Sequence, residues 1–377
     1  MNDLVMKNVR SYIHAHLSDV IDLICTVSSI PSPTGHEERK ANWILQQLHE
    51  MGAHQAYMDE VGNVLYPYQL TATGKFPLYT AHIDTVFSQL ETITPRIEGD
   101  ILYAPSCGDN SADVAALLCI ARMLLTLHIP LPSGVLLAFN VGEEGLGNLK
   151  GIRHIMNTWS DRIAEVVAVD GTNQAFVNRA VGSRRYAIHI KAQGGHSWGN
   201  FGNTNALAVA AEIIHDLYQL PVPSIPKTTY NVGTLTGGTT VNSIAEEAQM
   251  TIDLRSESMS SLTELDMNTA AIIRRHMSRA IQITQTLIGS RPCSDSVLKA
   301  PLYDRICAIR RAQGLSTIWR TGSTDANIPL SMGIPATAFS IYYGQGAHTL
   351  DEQLSLSSLE PGLMQLIDLL LSNERYA

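Results

Sequence analysis

The sequence predicts an α/β protein, a mixed sheet covered by helices on both faces and interrupted by an inserted α+β unit of the ferredoxin-like type. Three observations predict it. Short apolar runs such as "FPLYTAHID", "SGVLLAFN" and "AEVVAVDG" alternate with helix-patterned stretches such as "VAALLCIARMLLTLHI", as strands and helices of a covered sheet do. Around Arg179 to Ser183 the texture changes to the half-exposed alternation of "RRYAIHIKAQGG". After Pro292 the first texture returns. Residues 1–179 and 291–377 are therefore expected to form one discontinuous domain and residues 180–290 the insertion, which suits a chain of 377 residues, long for one core.

The elements follow in order. "MNDLVMKNVRSYIHAHLSDVIDLICTVSSIPSPTG" spaces apolar residues at helical intervals with acids and bases between them, unlike the basic start and continuous apolar core of a signal peptide. Pro31 and Pro33 break this pattern, and "HEERKANWILQQLHEMG" is the next helix, closed by Gly52. "NVLYPYQL" and the apolar runs above then supply the strands. In the insertion, "RRYAIHIKAQGG", the helix "NALAVAAEIIHDLYQL", the strands "TTYNVGTLTGG" and "EEAQMTIDLRS", the helix "SLTELDMNTAAIIRRHMSRA" and the strand "IQITQTLIGS" give the order β-α-β-β-α-β.

Composition narrows the function. Hydrophobic residues make up 45% and charged residues 16%, ordinary for a globular enzyme and too apolar for disorder. A net charge of −9 leaves no basic surplus for a nucleic acid, and no stretch is long and apolar enough to span a membrane. Cys25, Cys107, Cys119, Cys293 and Cys307 are odd in number and never form a Cys-x-x-Cys pair, so neither a disulfide framework nor a thiolate zinc site is expected. A reducing cytoplasm fits best.

Several positions carry potential chemistry. His82 and Asp84 end an apolar strand and point to one side of it, where open α/β sheets place their ligands. Asp84 is placed to take the second ring N–H of a metal-binding His82; a buried histidine satisfied by a turn aspartate is the plain alternative. Asp109 lies in a glycine-rich turn before a helix, where a capping role for it or for Asp113 is the plainer reading and a ligand role the alternative. Glu143 and Glu144 are adjacent beyond a buried strand, and a divalent cation is the usual relief of such repulsion. One could bind metal while its neighbour takes a proton from bound water. Asp170 ends another strand, as a ligand or a turn former, and His348 lies in "GAHTLDEQLSL", a metal site or a surface loop. Imidazoles and carboxylates without thiolate suit two catalytic divalent ions roughly 3.5–4 Å apart. A phosphate-loop reading of Gly145-Leu-Gly147 is weaker, because these glycines follow the glutamates instead of the strand. They suit a tight turn behind the carboxylate pair.

Taken together, "SIPSPTGHE", "TAHIDTV", "GDN", "GEEGLG", "VDGT", "GGHSWGNFGNTNA", "NVGTLTGGTTVNSIAEEA", "DLRS", "GSTDAN" and "GAHTLDE" resemble the M20 family of co-catalytic metallopeptidases and deacylases over nearly the whole chain. The resemblance implies a zinc-peptidase-like catalytic domain with an inserted dimerisation or lid domain, and two divalent ions per chain, zinc first, with cobalt or manganese acceptable. It implies Asp109 as the bridging ligand, His82 and Asp170 completing one metal's ligands, Glu144 and His348 the other's, Glu143 as general base and Asp84 as the group orienting His82. It further implies a homodimer in which His196 reaches the partner's site, with Asn242, Arg255, Gly322 and Ser323 about the substrate. One departure stands out: many relatives follow the bridging aspartate with x-Lys-Gly, where this chain has Asn110-Ser-Ala-Asp113.

The activity so implied is hydrolysis of a short peptide from an exposed end, in the manner of tripeptidase T. Deacylation of an N-acyl amino acid needs the same metals and base. A non-catalytic binding protein on the same scaffold is disfavoured because every ligand and the base are present. A nucleotide-binding oxidoreductase would need its glycines directly after a strand.

Overall fold

Strands with both faces covered form the middle of the larger sheet in the computed structural model, which describes residues 3–88, 93–372 and 376. Every residue of β3 (Phe76–His82) and β6 (Val135–Asn140) is buried, and β7 (Ile163–Val169) is buried except at Ala164. Their near-continuous apolar sequences follow from that double burial. β3 lies between β6 and β7 and is parallel to both, so the C-terminal ends of the three strands stand side by side. β1 (Tyr57–Met58) and β2 (Val64–Tyr68) extend the sheet past β6, and β16 (Ala336–Phe339), β8 (Phe176–Ala180) and β15 (Trp319–Gly322) extend it past β7. The resulting order is β1-β2-β6-β3-β7-β16-β8-β15.

The chain divides into two compact units, Met1–Arg179 with Val297–Ala377, and Ala180–Ser296. The helices of the first unit are α1 (Asp3–Ala15), α2 (Leu17–Ser28), α3 (Glu38–Glu50), α4 (Asp113–Thr126), α5 (Lys150–Trp159), α8 (Pro301–Ala312), α9 (Asn327–Ser331) and α10 (Leu359–Leu371). Met1 and Asn2 of the expected N-terminal helix lie outside the described residues. Apolar faces of α1, α2, α3, α4, α8 and α10 join the strands in one core. A small second sheet of this unit, in the order β17 (Gly344–Gln345), β18 (Gln353–Ser355), β5 (Ile101–Tyr103) and β4 (Arg96–Glu98), pairs Gln353 with Tyr103. That register brings the loop bearing His348 against the turn that leads to Asp109.

The second unit contains β9 (Gly182–Lys191), α6 (Ala206–Leu217), β11 (Thr228–Gly237), β13 (Glu247–Ser256), α7 (Met259–Arg275) and β14 (Gln282–Arg291), an antiparallel sheet in the order β11-β13-β9-β14. Alternate residues such as Ile188, Ile190, Met250, Ile252 and Leu254 pack against the two helices, which accounts for the half-exposed alternation of the sequence. Asn205 begins α6 by accepting the N–H groups of Leu207 and Ala208. A short ribbon joins β10 (Gly195–His196) to β12 (Ser243–Ile244). This unit continues past 290 because Ser294 and Ala180 exchange hydrogen bonds and Met259 donates its N–H to Asp295. No helix among the described residues is long and apolar enough to cross a membrane.

One charge is enclosed in α3: Lys40 is only 1% exposed. Burial brings its ammonium down to about 8, with the negative charge of Asp84 opposing the shift. Between that value and about 10.4 the unfolded chain holds a proton that the folded chain lacks, so stability rises with pH across this window. Below it the buried ammonium costs about 3 kcal/mol. Lys40→Met is expected to stabilise the protein at pH 7 by about 1–3 kcal/mol and to flatten this rise. Urea denaturation between pH 7 and 10 tests this; an unchanged slope would assign the titration elsewhere.

Candidate active site

His82 is the last residue of β3, Glu143 and Glu144 follow β6 by three and four residues, and Asp170 directly follows β7. Because these strands are parallel neighbours, residues far apart in sequence meet at one sheet edge. Asp109 reaches them from the turn before α4. Neither it nor Asp113 caps that helix, which starts without a side-chain cap.

The carboxylate of Asp109 faces two ways. Its Oδ1 lies 3.0 Å from Nε2 of His82, and its Oδ2 lies 3.1 Å from Nε2 of His348. Nε2 of His348 is also 3.0 Å from Glu144 Oε1, and Nε2 of His82 is 3.8 Å from Asp170 Oδ1. Two sets of donor atoms result, His82 with Asp109 and Asp170, and Asp109 with Glu144 and His348, each confined within 4.8 Å. His82, Glu143 and Glu144 satisfy the same limit. The donors fit divalent cations: they are imidazole nitrogens and carboxylate oxygens, and acids outnumber imidazoles.

Asp84 is fully buried and serves a wider purpose than expected. Nδ1 of His82 lies closer to its main-chain oxygen, at 3.1 Å, than to its carboxylate, at 3.6 Å. That carboxylate instead accepts the main-chain N–H groups of Glu143 and Glu144, at 3.0 and 2.9 Å, and the hydroxyl of Thr34 at 2.9 Å. It thereby fixes the backbone of the glutamate pair to the end of β3. Behind the pair the chain turns tightly: a Cβ on Gly147 would lie 2.5 Å from Cα of Gly142, whose φ is +68°.

The crowded acids set the ionisation of the site. Burial disfavours a charged His82, but its hydrogen bonds with Asp109 and Asp84 outweigh this and hold its pKa well above the usual value. His348 is pushed up to about 10 by hydrogen bonds with Asp109 and Glu144. Burial pushes the carboxyl of Asp170 up to about 7, with the charge of His82 opposing the shift and those of Asp109, Asp325 and Glu144 adding to it.

The remaining sequence-predicted residues are not among these donors. In the second unit, His196 ends β10, and its Nδ1 accepts the N–H groups of Trp198 and Gly199, both at 3.2 Å. Asn242 is beside it, its main-chain oxygen accepting the N–H of Ser197. Arg255, on β13, donates to Asp253 at 2.7 Å. Gly322 and Ser323 are at the end of β15 in the first unit, where a Cβ on Gly322 would meet Val177 at 2.6 Å.

Three further buried acids hold donors in roles that the sequence did not assign. Glu352 is 1% exposed and accepts the N–H groups of Ser106, Gly108 and Asp109. Asp113 accepts from Ser340 and from the N–H of Ile341, and Asp325 accepts from Asn140. The available signal was position: Glu352 follows His348 by four residues, and Asp113 follows Asp109 by four.

A covered α/β sheet with imidazoles and carboxylates gathered at its central strand ends is the architecture of metal-dependent hydrolases. The chain belongs to Peptidase family M20/M25/M40, which it matches over residues 78–372, so the resemblance read from the motifs is borne out. It is 26% identical over 324 residues to the cytosol non-specific dipeptidase of Escherichia coli, a match covering 77% of this chain and 64% of that protein's length. Its fold is shared with a tripeptidase from Staphylococcus aureus (TM-score 0.77, 20% identity, 94% of this chain and 97% of the other). It is shared also with aminopeptidase PepT from Bacillus cereus (TM-score 0.73, 18% identity, 94% and 98%).

Metal-free, both imidazoles carry a proton at pH 7, because their pKa values are raised. Coordination would require both imidazoles neutral and Asp170, whose carboxyl is raised to about 7, ionised, so loading with zinc at pH 7 is expected to release at least about two protons per chain, and affinity falls as pH is lowered. Calorimetry in buffers of different ionisation enthalpy measures this; binding without proton release would remove the histidines from the ligand set.

Proposed function

We propose that the chain is a co-catalytic, dinuclear metal-dependent hydrolase that cleaves an amide bond of a short peptide from an exposed end, as a tripeptidase-type exopeptidase. The observation that carries this reading is the carboxylate of Asp109, which turns one oxygen to His82 and the other to His348. In this reading His82, Asp109 and Asp170 hold one divalent ion and Asp109, Glu144 and His348 a second, with zinc the first candidate and cobalt or manganese acceptable. Divalent ions held there would supply Lewis acidity and lower the pKa of water at the site.

The chain's own residues do the rest. Glu143, its backbone held by Asp84, accepts the proton of the attacking water and delivers it to the leaving amine. His196 has Nδ1 engaged by two N–H donors, so its ring proton resides on Nε2, where it can donate to the developing oxyanion. The second unit mediates a homodimer, and His196 acts in the partner's site. Arg255 suits the terminal carboxylate of a peptide, with Asn242, Gly322 and Ser323 bordering the substrate. Five cysteines, odd in number and never in a Cys-x-x-Cys pair, suit a reducing cytoplasm.

The test is hydrolysis of di- and tripeptides and N-acyl amino acids by the purified protein, with chelator and with zinc, cobalt or manganese restored. Metal-restored cleavage of peptides is expected; cleavage of the N-acyl amino acids alone would make the enzyme a deacylase, and failure to bind metal would overturn the reading. Glu143→Ala is expected to keep its metal and lose kcat by about 10²–10⁴-fold or more. Near-normal turnover in that variant would remove Glu143 from the role of base.

A further inference from the structure

The turn that carries Asp109 is wrapped around a carboxylate from another part of the chain. Oε1 of Glu352 accepts the N–H of Gly108 at 3.0 Å and that of Asp109 at 2.7 Å, and Oε2 accepts the N–H of Ser106 at 2.8 Å. The main-chain oxygen of Glu352 also accepts the N–H of Ala104 at 3.2 Å. Glu352 stands four residues after His348 and directly before β18, whose pairing with β5 sets it beneath the turn. One side chain therefore spans the two loops that bring Asp109 and His348 together.

We propose that Glu352 is a positioning residue for the metal centre, holding Asp109 at the angle that lets one carboxylate face both His82 and His348. The chemistry of the contact supports this. Three N–H donors on two oxygens require two acceptor oxygens, which a carboxylate supplies and an amide, with one oxygen and one NH2, does not. A group ordering a ligand in this way acts on metal affinity, and because Asp109 belongs to both donor sets, loss of Glu352 weakens both together. Glu352 itself does not belong to either donor set. The turn has little room to adjust by itself, because a Cβ on Gly108 would lie 2.4 Å from the ring of Tyr342.

This inference rests on the dinuclear reading above, and the experiment separates the two. Zinc and cobalt affinities are measured by chelator competition for the unaltered protein, Glu352→Gln and Glu352→Asp, each below its own unfolding temperature. Val20→Ala, in the core of α2, controls for loss of stability alone. The expected result is two ions bound by the unaltered protein and by Val20→Ala. Glu352→Gln is expected to bind both ions about 10–100-fold more weakly and to change the visible spectrum of bound cobalt. Glu352→Asp, which keeps the charge, is expected to fall between; it supplies the measurement if Glu352→Gln does not fold. Unchanged affinity and spectrum in the Glu352 variants, or an equal loss in Val20→Ala, would overturn the positioning role while leaving the metal site standing. Absence of metal binding by the unaltered protein would overturn both.

Discussion

Asp84, Asp109, Glu143, Glu144 and Asp170 meet at the end of three parallel strands with only two imidazoles among them, and the rest of the first unit is arranged around that concentration of negative charge. Two like charges 4 Å apart cost about 4 kcal/mol at an effective dielectric of 20. Several such pairs in a buried bowl persist only with positive charge between them or with an acid partly protonated, as the raised pKa of Asp170 indicates. In the protein without cations, that charge is the protons of His82 and His348, whose pKa values are raised for this reason. Divalent cations held at the same positions would supply more charge and release those protons.

Positive charge alone does not keep the acids in place, and main-chain N–H groups do much of the remaining work. Asp84 takes two of them from the glutamate pair, and Glu352 takes three from the Asp109 turn. Each contact joins segments remote in sequence, end of strand to loop and loop to turn. Each also leaves the oxygens of Asp109 and Glu144 directed at the histidines instead of at the backbone. The Asn110 side chain adds a further tie, donating to the main-chain oxygen of Val169 beside Asp170.

The central strands and the cluster at their ends were legible because both leave local marks. Continuous apolar runs declare strands buried on both faces, and an acid or imidazole at the end of such a run or within a few residues beyond it is a candidate ligand. His82, Glu143, Glu144 and Asp170 all have that signature. Asp109 and His348 do not, since a glycine-rich turn and a surface loop look alike whether or not they hold a ligand, and the family motifs were needed to favour the ligand reading. The roles of Glu352, Asp113 and Asp325 were illegible for a further reason. Their partners are backbone groups and side chains far away in the chain, and a hydrogen bond to an N–H leaves no trace in the partner's residue type. Asp84 was read only in part, because its position near His82 was visible while its hold on the glutamate backbone was not.

The glycine-rich stretch after β6 shows how the same composition can serve opposite ends. A phosphate loop works by aiming free N–H groups at an anion. Here those of Glu143 and Glu144 go to the carboxylate of Asp84, that of Gly147 to the oxygen of Glu144, and that of Gly151 to the oxygen of Val141. The turn is thus an anion site whose anion is built into the chain. With these donors committed to the chain itself, the turn leaves the glutamate carboxylates within 4.8 Å of the His82 ring and Glu144 beside His348, and the ligand that such a cluster favours is a cation.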